Sequence, residues 1–216
     1  MFPTRAFKEP VSSLTHMSFA ILAVPLTVVM TALAAWTRSP VKIVAFSIFG
    51  ASLILLYTAS SVYHAVKASE KVELRLKKID HSMIFVLIAG TYTPICLIAL
   101  KGAWGIAMLS VVWGLTIAGC VMKILWINSP RWLYTLIYLF MGWIVIVAVK
   151  PMLNSITAGG LLCLLAGGVM YSAGAVIYAL KRPRLKNKFF GFHEIFHIFV
   201  MAGTVLHVCF MFIWLM

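Results

Sequence analysis

The stretch "FHEIFHIFVMAGTVLHVCFMFIWLM", residues 192–216, carries two signals that point to different folds. It opens with His193-Glu194-Ile195-Phe196-His197, a match to the H-E-x-x-H string of zinc metalloproteases, in which the glutamate is the general base. The rest of the stretch holds no Lys, Arg, Asp or Glu. It is long enough to cross the hydrocarbon core of a bilayer, which takes about 20 mostly apolar residues. The two readings differ in the solvent they require, so the remainder of the chain decides between them.

It decides for the bilayer. Of 216 residues, 63% are apolar and 11% charged, with a mean hydropathy of +1.04. A soluble domain is about half apolar and about a quarter charged. Seven segments reach spanning length: Leu14–Trp36, Val41–Val66, Ile79–Leu100, Trp104–Ile127, Trp132–Val149, Ile156–Leu180 and Phe192–Met216. Turn and interface residues punctuate them: Ser39-Pro40, Lys101-Gly102, Asn128-Ser129-Pro130 and Lys150-Pro151. Pro94 and the internal glycines are tolerated in membrane helices. No repeat or low-complexity stretch interrupts them. The expectation is one all-α domain over residues 1–216, a seven-transmembrane bundle. Arg5 and Lys8 ahead of the first run, with Ala32-Leu33-Ala34 near its end, resemble a signal peptide. The run exceeds the ~7–15 residues of a signal core, which favours a retained span.

Charge sets the orientation. The chain has 18 Lys and Arg against 5 acids, a formal +13. Fourteen of the cations fall on one side: Arg5 and Lys8, then Lys67 to Lys78, then Lys123 and Arg131, then Lys181 to Lys188. Arg38, Lys42, Lys101 and Lys150 make up the other side. The positive-inside rule therefore puts the N-terminus in the cytoplasm and the C-terminus outside. The same excess attracts anionic lipid headgroups. Nucleic acid is a poor partner, because the basic residues form short clusters between apolar runs. Cys96, Cys120, Cys163 and Cys209 stand singly within apolar segments and read as small buried hydrophobes. Five tryptophans near span ends (Trp36, Trp104, Trp126, Trp132, Trp214) suit an interfacial aromatic belt.

Ionisable groups in or beside a span are costly and default to functional hypotheses. On this topology His64 ends span 2, Asp80 opens span 3, and His193 and His197 open span 7, all at the cytoplasmic leaflet. His193 and His197 are four apart and so share a helix face. Two such imidazoles can ligate one metal, and His64 could supply a third from a neighbouring helix. Three neutral histidines plus water is a catalytic-type zinc sphere. Asp80 could then orient or deprotonate the water, and Ser60, one turn before His64, could hydrogen-bond a ligand or a substrate carbonyl. Plainer readings stand beside these. Two interfacial histidines need no metal; Asp80 could simply favour the helix dipole; Ser60 and Ser61 could be small residues for close helix packing. His16 could be a partner to the site or an interfacial residue. His81 adjoins Asp80 but points about 100° away on a helix. His207 lies about 15 Å beyond His197 along span 7, too far to share a metal with it.

The combination of "ASSVYHAV" (59–66), "LKKIDHSMIFVLIAGTYTP" (76–94), "IYLFMGW" (137–143) and "FHEIFHIFV" (192–200) resembles the bacterial hemolysin III family. That family lies within the wider group of progestin and adipoQ receptors, more distantly related to alkaline ceramidases. The resemblance implies a seven-helix bundle in the bacterial cytoplasmic (inner) membrane. It implies His64, His193 and His197 as zinc ligands, Asp80 holding the water at the metal, and Ser60 as the serine of the S-x3-H motif. The ceramidases hydrolyse a lipid amide, so a zinc-dependent amide or ester hydrolase of membrane lipid, tied to membrane homeostasis, is the expected chemistry. A pore-forming cytolysin and a non-catalytic sensor with structural zinc are the alternatives. Two departures matter. Ser12-Ser13 stands where the family has an Asn-Ser pair, which leaves the N-terminal segment without an assigned role. The family pattern is H-x3-H, which makes Glu194 a bystander.

Overall fold

A computed structural model describes residues 7–185 and 190–216 of the chain. Arg5, Lys186 and Lys188 of the charge count lie outside the described residues. Seven helices are long and apolar enough to cross a membrane: Pro10–Trp36, Pro40–Ala65, Glu70–Leu100, Gly102–Leu125, Arg131–Met152, Ala158–Leu180 and Phe192–Leu215. They are spans 1 to 7 below. Among the described residues there is no strand. The protein is an all-α integral membrane protein with the seven-span architecture that the hydropathy pattern predicts.

The helix ends differ from the apolar ends where the chain leaves the lipid. Span 3 begins at Glu70, nine residues before the apolar run. Glu70 and Glu73 occupy its first turn, where negative charge favours the positive end of the helix dipole. Hydropathy reports solvent, whereas the hydrogen-bond ladder runs on into the polar segment. Span 3 also changes pitch. Its α-helix reaches Pro94 and a π-helical turn, Ile95–Leu100, completes it. The Lys101 amide closes that turn on the Cys96 carbonyl at 3.2 Å. Span 7 finishes in a π turn too, Met211–Leu215.

One end of the bundle collects the basic residues. Lys8 pairs with Glu73 at 2.7 Å, and the Lys78 ammonium donates to the Ile124 carbonyl at 2.6 Å. The Arg131 guanidinium sits 4.6 Å from the centroid of the Tyr178 ring and 5.9 Å from that of Phe192. These contacts join the starts of spans 1, 3, 5 and 7 to the ends of spans 4 and 6 in one layer, the layer that the charge count assigns to the cytoplasm. Lys123 is fully buried there. Its ammonium bonds the Ser129 hydroxyl at 3.2 Å and lies over the Tyr134 ring, a cation–π contact that offsets part of the burial cost.

The centre of the bundle is packed with large side chains, among them Phe46, Phe49, Tyr57, Phe85 and Phe210, none more than 1% exposed. Small residues let the helices close on them. At Gly119 in span 4 a β-carbon would collide with the Phe85 ring of span 3. Gly119→Val should therefore destabilise the protein by about 1–3 kcal/mol, the usual cost of overpacking. Thermal unfolding in detergent measures it, and an unchanged midpoint would mean the Phe85 ring moves aside freely.

Candidate metal centre

Span 2 contributes its last two turns to the basic end: Ser60, Ser61 and His64, all buried, precede the helix end at Ala65. Span 7 contributes its first two turns, with His193 and His197. The sequence separates His64 from His193 by 129 positions, yet their Nε2 atoms stand 3.3 Å apart. His197 completes the group, its ring centroid 4.6 Å from that of His193 and 5.1 Å from that of His64. One ligand nitrogen from each of the three lies within 4.8 Å of the others.

That spacing fits a single small cation. Zinc binds imidazole nitrogen at about 2.0–2.1 Å with tetrahedral angles, which separates neighbouring nitrogens by about 3.3–3.4 Å. The His64–His193 distance already has this value. His197 is buried in this group, and its Nδ1 has no hydrogen-bond partner among the described residues. Buried polar atoms are normally paired. Three imidazoles are the donor set that suits zinc among common ions.

The surroundings orient the rings. His64 Nδ1 bonds Glu9 Oε2 at 2.7 Å, and this bond holds the Glu9 carboxyl below the ordinary carboxylate range. His16, from span 1, stacks on His197 with centroids 3.7 Å apart and planes 10° from parallel. It is 3% exposed, so it is no interfacial residue. Neither of its ring nitrogens has a hydrogen-bond partner among the described residues. Imidazole lone pairs lie in the ring plane, so a ring stacked on His197 cannot address the point that His197 addresses. His16 stands beside the ligand group, outside it.

Asp80 and Ser60 are buried, and both line the cavity of about 160 Å³ whose wall includes His193 and His197. Asp80 Oδ2 lies 3.4 Å from His81 Nδ1. His81 Nδ1 bonds the Lys77 carbonyl at 2.9 Å, and although its Cβ leaves the helix about 100° from that of Asp80, its ring reaches the same wall. The helical wheel gives the direction of Cβ, while the imidazole reaches well beyond it. Past Leu56, Ile84 and Val200 the cavity runs to Tyr171 and His207. His207 bonds the Leu164 carbonyl at 3.1 Å, the bundle hydrogen bond that its depth in span 7 predicts.

Glu194 points elsewhere. Its Oε2 accepts from the Gly191 amide at 2.8 Å, capping the start of span 7. Its Oε1 accepts from the Ser12 hydroxyl at 2.6 Å. Ser13 donates to the Ser61 carbonyl at 3.2 Å, and Ser61 donates back to the Ser13 carbonyl at 3.1 Å. The serine pair thus ties span 1 to spans 7 and 2, a role that the sequence left unassigned. Glu194→Gln should leave metal affinity within about threefold of wild type and cost less than about 1 kcal/mol, the size of a capping contact. Metal titration and thermal unfolding check this; loss of metal binding would put Glu194 inside the site. Glu9 was missed in the sequence. Its signal was scarcity: it is one of 5 acids against 18 cations, next to the proline that starts span 1.

Comparison with known proteins shows the family. A family model described as haemolysin-III related matches residues 4–208. "Hemolysin-3" of Bacillus cereus is 37% identical over 204 residues, covering 94% of this chain and 90% of that protein. "Hemolysin-3 homolog" of Bacillus subtilis (strain 168) is 39% identical over 197 residues, covering 91% and 89%. With its seven spans and a three-histidine cluster at their basic end, the chain belongs to the haemolysin-III related family.

Proposed function

We propose that this protein is a zinc-dependent hydrolase that cleaves an amide or ester bond of a membrane lipid. The observation that carries the reading is the cavity. Its wall combines His193 and His197 of the ligand group with a buried carboxylate and a buried hydroxyl, and it continues past the apolar side chains Leu56, Ile84 and Val200.

His64, His193 and His197 would hold the ion. Bound zinc would lower the pKa of a water toward ~7 and polarise a carbonyl oxygen. Asp80 is the carboxylate on the same wall, and its role is to accept the proton that the attacking water gives up. His81 Nδ1 lies 3.4 Å from the Asp80 carboxylate. Ser60 offers a hydroxyl where charge develops on the carbonyl oxygen. Leu56, Ile84 and Val200 receive an acyl chain and keep water from the reacting atoms.

The test is to purify the protein in detergent, measure its zinc, and assay release of fatty acid from a panel of ceramides and other lipid amides and esters. Turnover that a chelator abolishes and zinc restores is the expected result. Bound zinc with no turnover across the panel would overturn the hydrolase reading.

A further inference from the structure

We infer that the segment before span 1 is part of the metal centre, and that Glu9 is a positioning residue fixing which nitrogen His64 presents to the ion proposed above. The segment lies along the last turn of span 2. The Glu9 amide donates to the His64 carbonyl at 2.9 Å and the Lys8 amide to the Ala65 carbonyl at 3.2 Å. The last four carbonyls of a helix lack partners within it, and these two backbone bonds satisfy a pair of them.

Four further ties fasten the segment and the start of span 1 without using His64. Lys8 pairs with Glu73 of span 3 at 2.7 Å, and its ammonium lies 4.6 Å from the Tyr63 ring centroid. Ser12 bonds Glu194 of span 7, and Ser13 exchanges bonds with Ser61 of span 2. The carboxylate is therefore delivered to His64 by an anchored backbone.

What it does there follows from the chemistry of the pair. A neutral imidazole has one N–H, and an ionised carboxylate only accepts. A 2.7 Å bond between His64 Nδ1 and Glu9 Oε2 places the hydrogen on Nδ1. The Nε2 lone pair is then free on the side where His193 Nε2 stands. A carboxylate behind a ligating histidine sets its tautomer and raises its basicity as a ligand. The side chains differ in position: His64 is 3% exposed and Glu9 41%, so the carboxylate links the buried ligand to the basic, solvent-facing end. His197 has no such partner and is braced by the stacked His16 ring. Of these two ligands, His64 is the one with a carboxylate behind it.

The experiment uses the full chain in detergent and measures zinc affinity by competition with a chromogenic chelator, together with the absorption of the cobalt(II)-loaded protein. Glu9→Ala should weaken zinc binding 10–100-fold, the range seen when an outer-shell partner is removed, and shift the cobalt bands. Lys8→Met removes the Glu73 pair but leaves the carboxylate on His64, so its affinity should stay within about threefold of wild type. Glu9→Gln keeps an acceptor oxygen without the charge and should fall between the two. It decides the question if Glu9→Ala does not fold: several-fold weaker binding supports the inference, and wild-type binding overturns it. Wild-type affinity in Glu9→Ala, or equal weakening in Lys8→Met, overturns the positioning role alone. A wild-type protein that binds no zinc overturns the metal site as well.

Discussion

His64→Ala is expected to lose zinc. Wild type should purify with about one ion per chain, and the variant should bind more than 100-fold more weakly, beyond the range that outer-shell changes produce. His193→Ala and His197→Ala should behave alike, since the three nitrogens form one group. His207→Ala is the internal control: about ten residues and 15 Å along the helix, it bonds a backbone carbonyl and should leave zinc content unchanged. The same variants separate a catalytic ion from a structural one. A structural ion lends its binding energy to folding, so stripping it unfolds the protein. Here Phe46, Phe49, Phe85 and Phe210 pack the bundle without reference to the histidines. Chelated wild type should therefore keep its helical circular dichroism at room temperature. Unfolding on chelation would favour the structural clamp.

Asp80→Asn should cut lipid turnover by 10²–10⁴, the usual contribution of a positioned acid–base group, while zinc content stays at the wild-type level. Asparagine preserves the shape of the side chain at the cavity wall and the contact with His81, but cannot take a proton. The residue is outside the histidine group and inside the cavity, which is why binding and turnover should separate. A variant that loses zinc in proportion to activity would make Asp80 a ligand. One that keeps full turnover would transfer the base to another group.

The spans and the histidine group were legible because rare residues stand out on an apolar background. Five histidines and one aspartate near one leaflet cannot be hidden among leucines. The charge count divided the loops into two sides, and the described basic residues of the richer side do gather in one layer. Helix ends were not, since Glu70 continues a helix that hydropathy has already dismissed. Nor was the reach of His81, because spacing along a helix gives the direction of a side chain and not its rotamer. Glu9 and His16 were hardest. What brings them to the site is the docking of span 1 against spans 2 and 7, a tertiary fact with no local pattern. Glu194 shows the reverse error: a familiar five-letter string whose acid caps a helix and bonds a serine.

The stack of His16 on His197 has a consequence for biogenesis. Spans 1 and 2 leave the ribosome first, so their serine ties and the Glu9–His64 bond can form early. His193 and His197 arrive only with the seventh span. Until then His64 has its Glu9 partner but no second or third imidazole, and the proposed metal would have no complete seat. Capture of the proposed ion would require span 7 to have met span 2, and the His16–His197 stack forms at the same meeting. A partly inserted chain stays metal-free, which would give the cell a chemical difference between finished and unfinished copies.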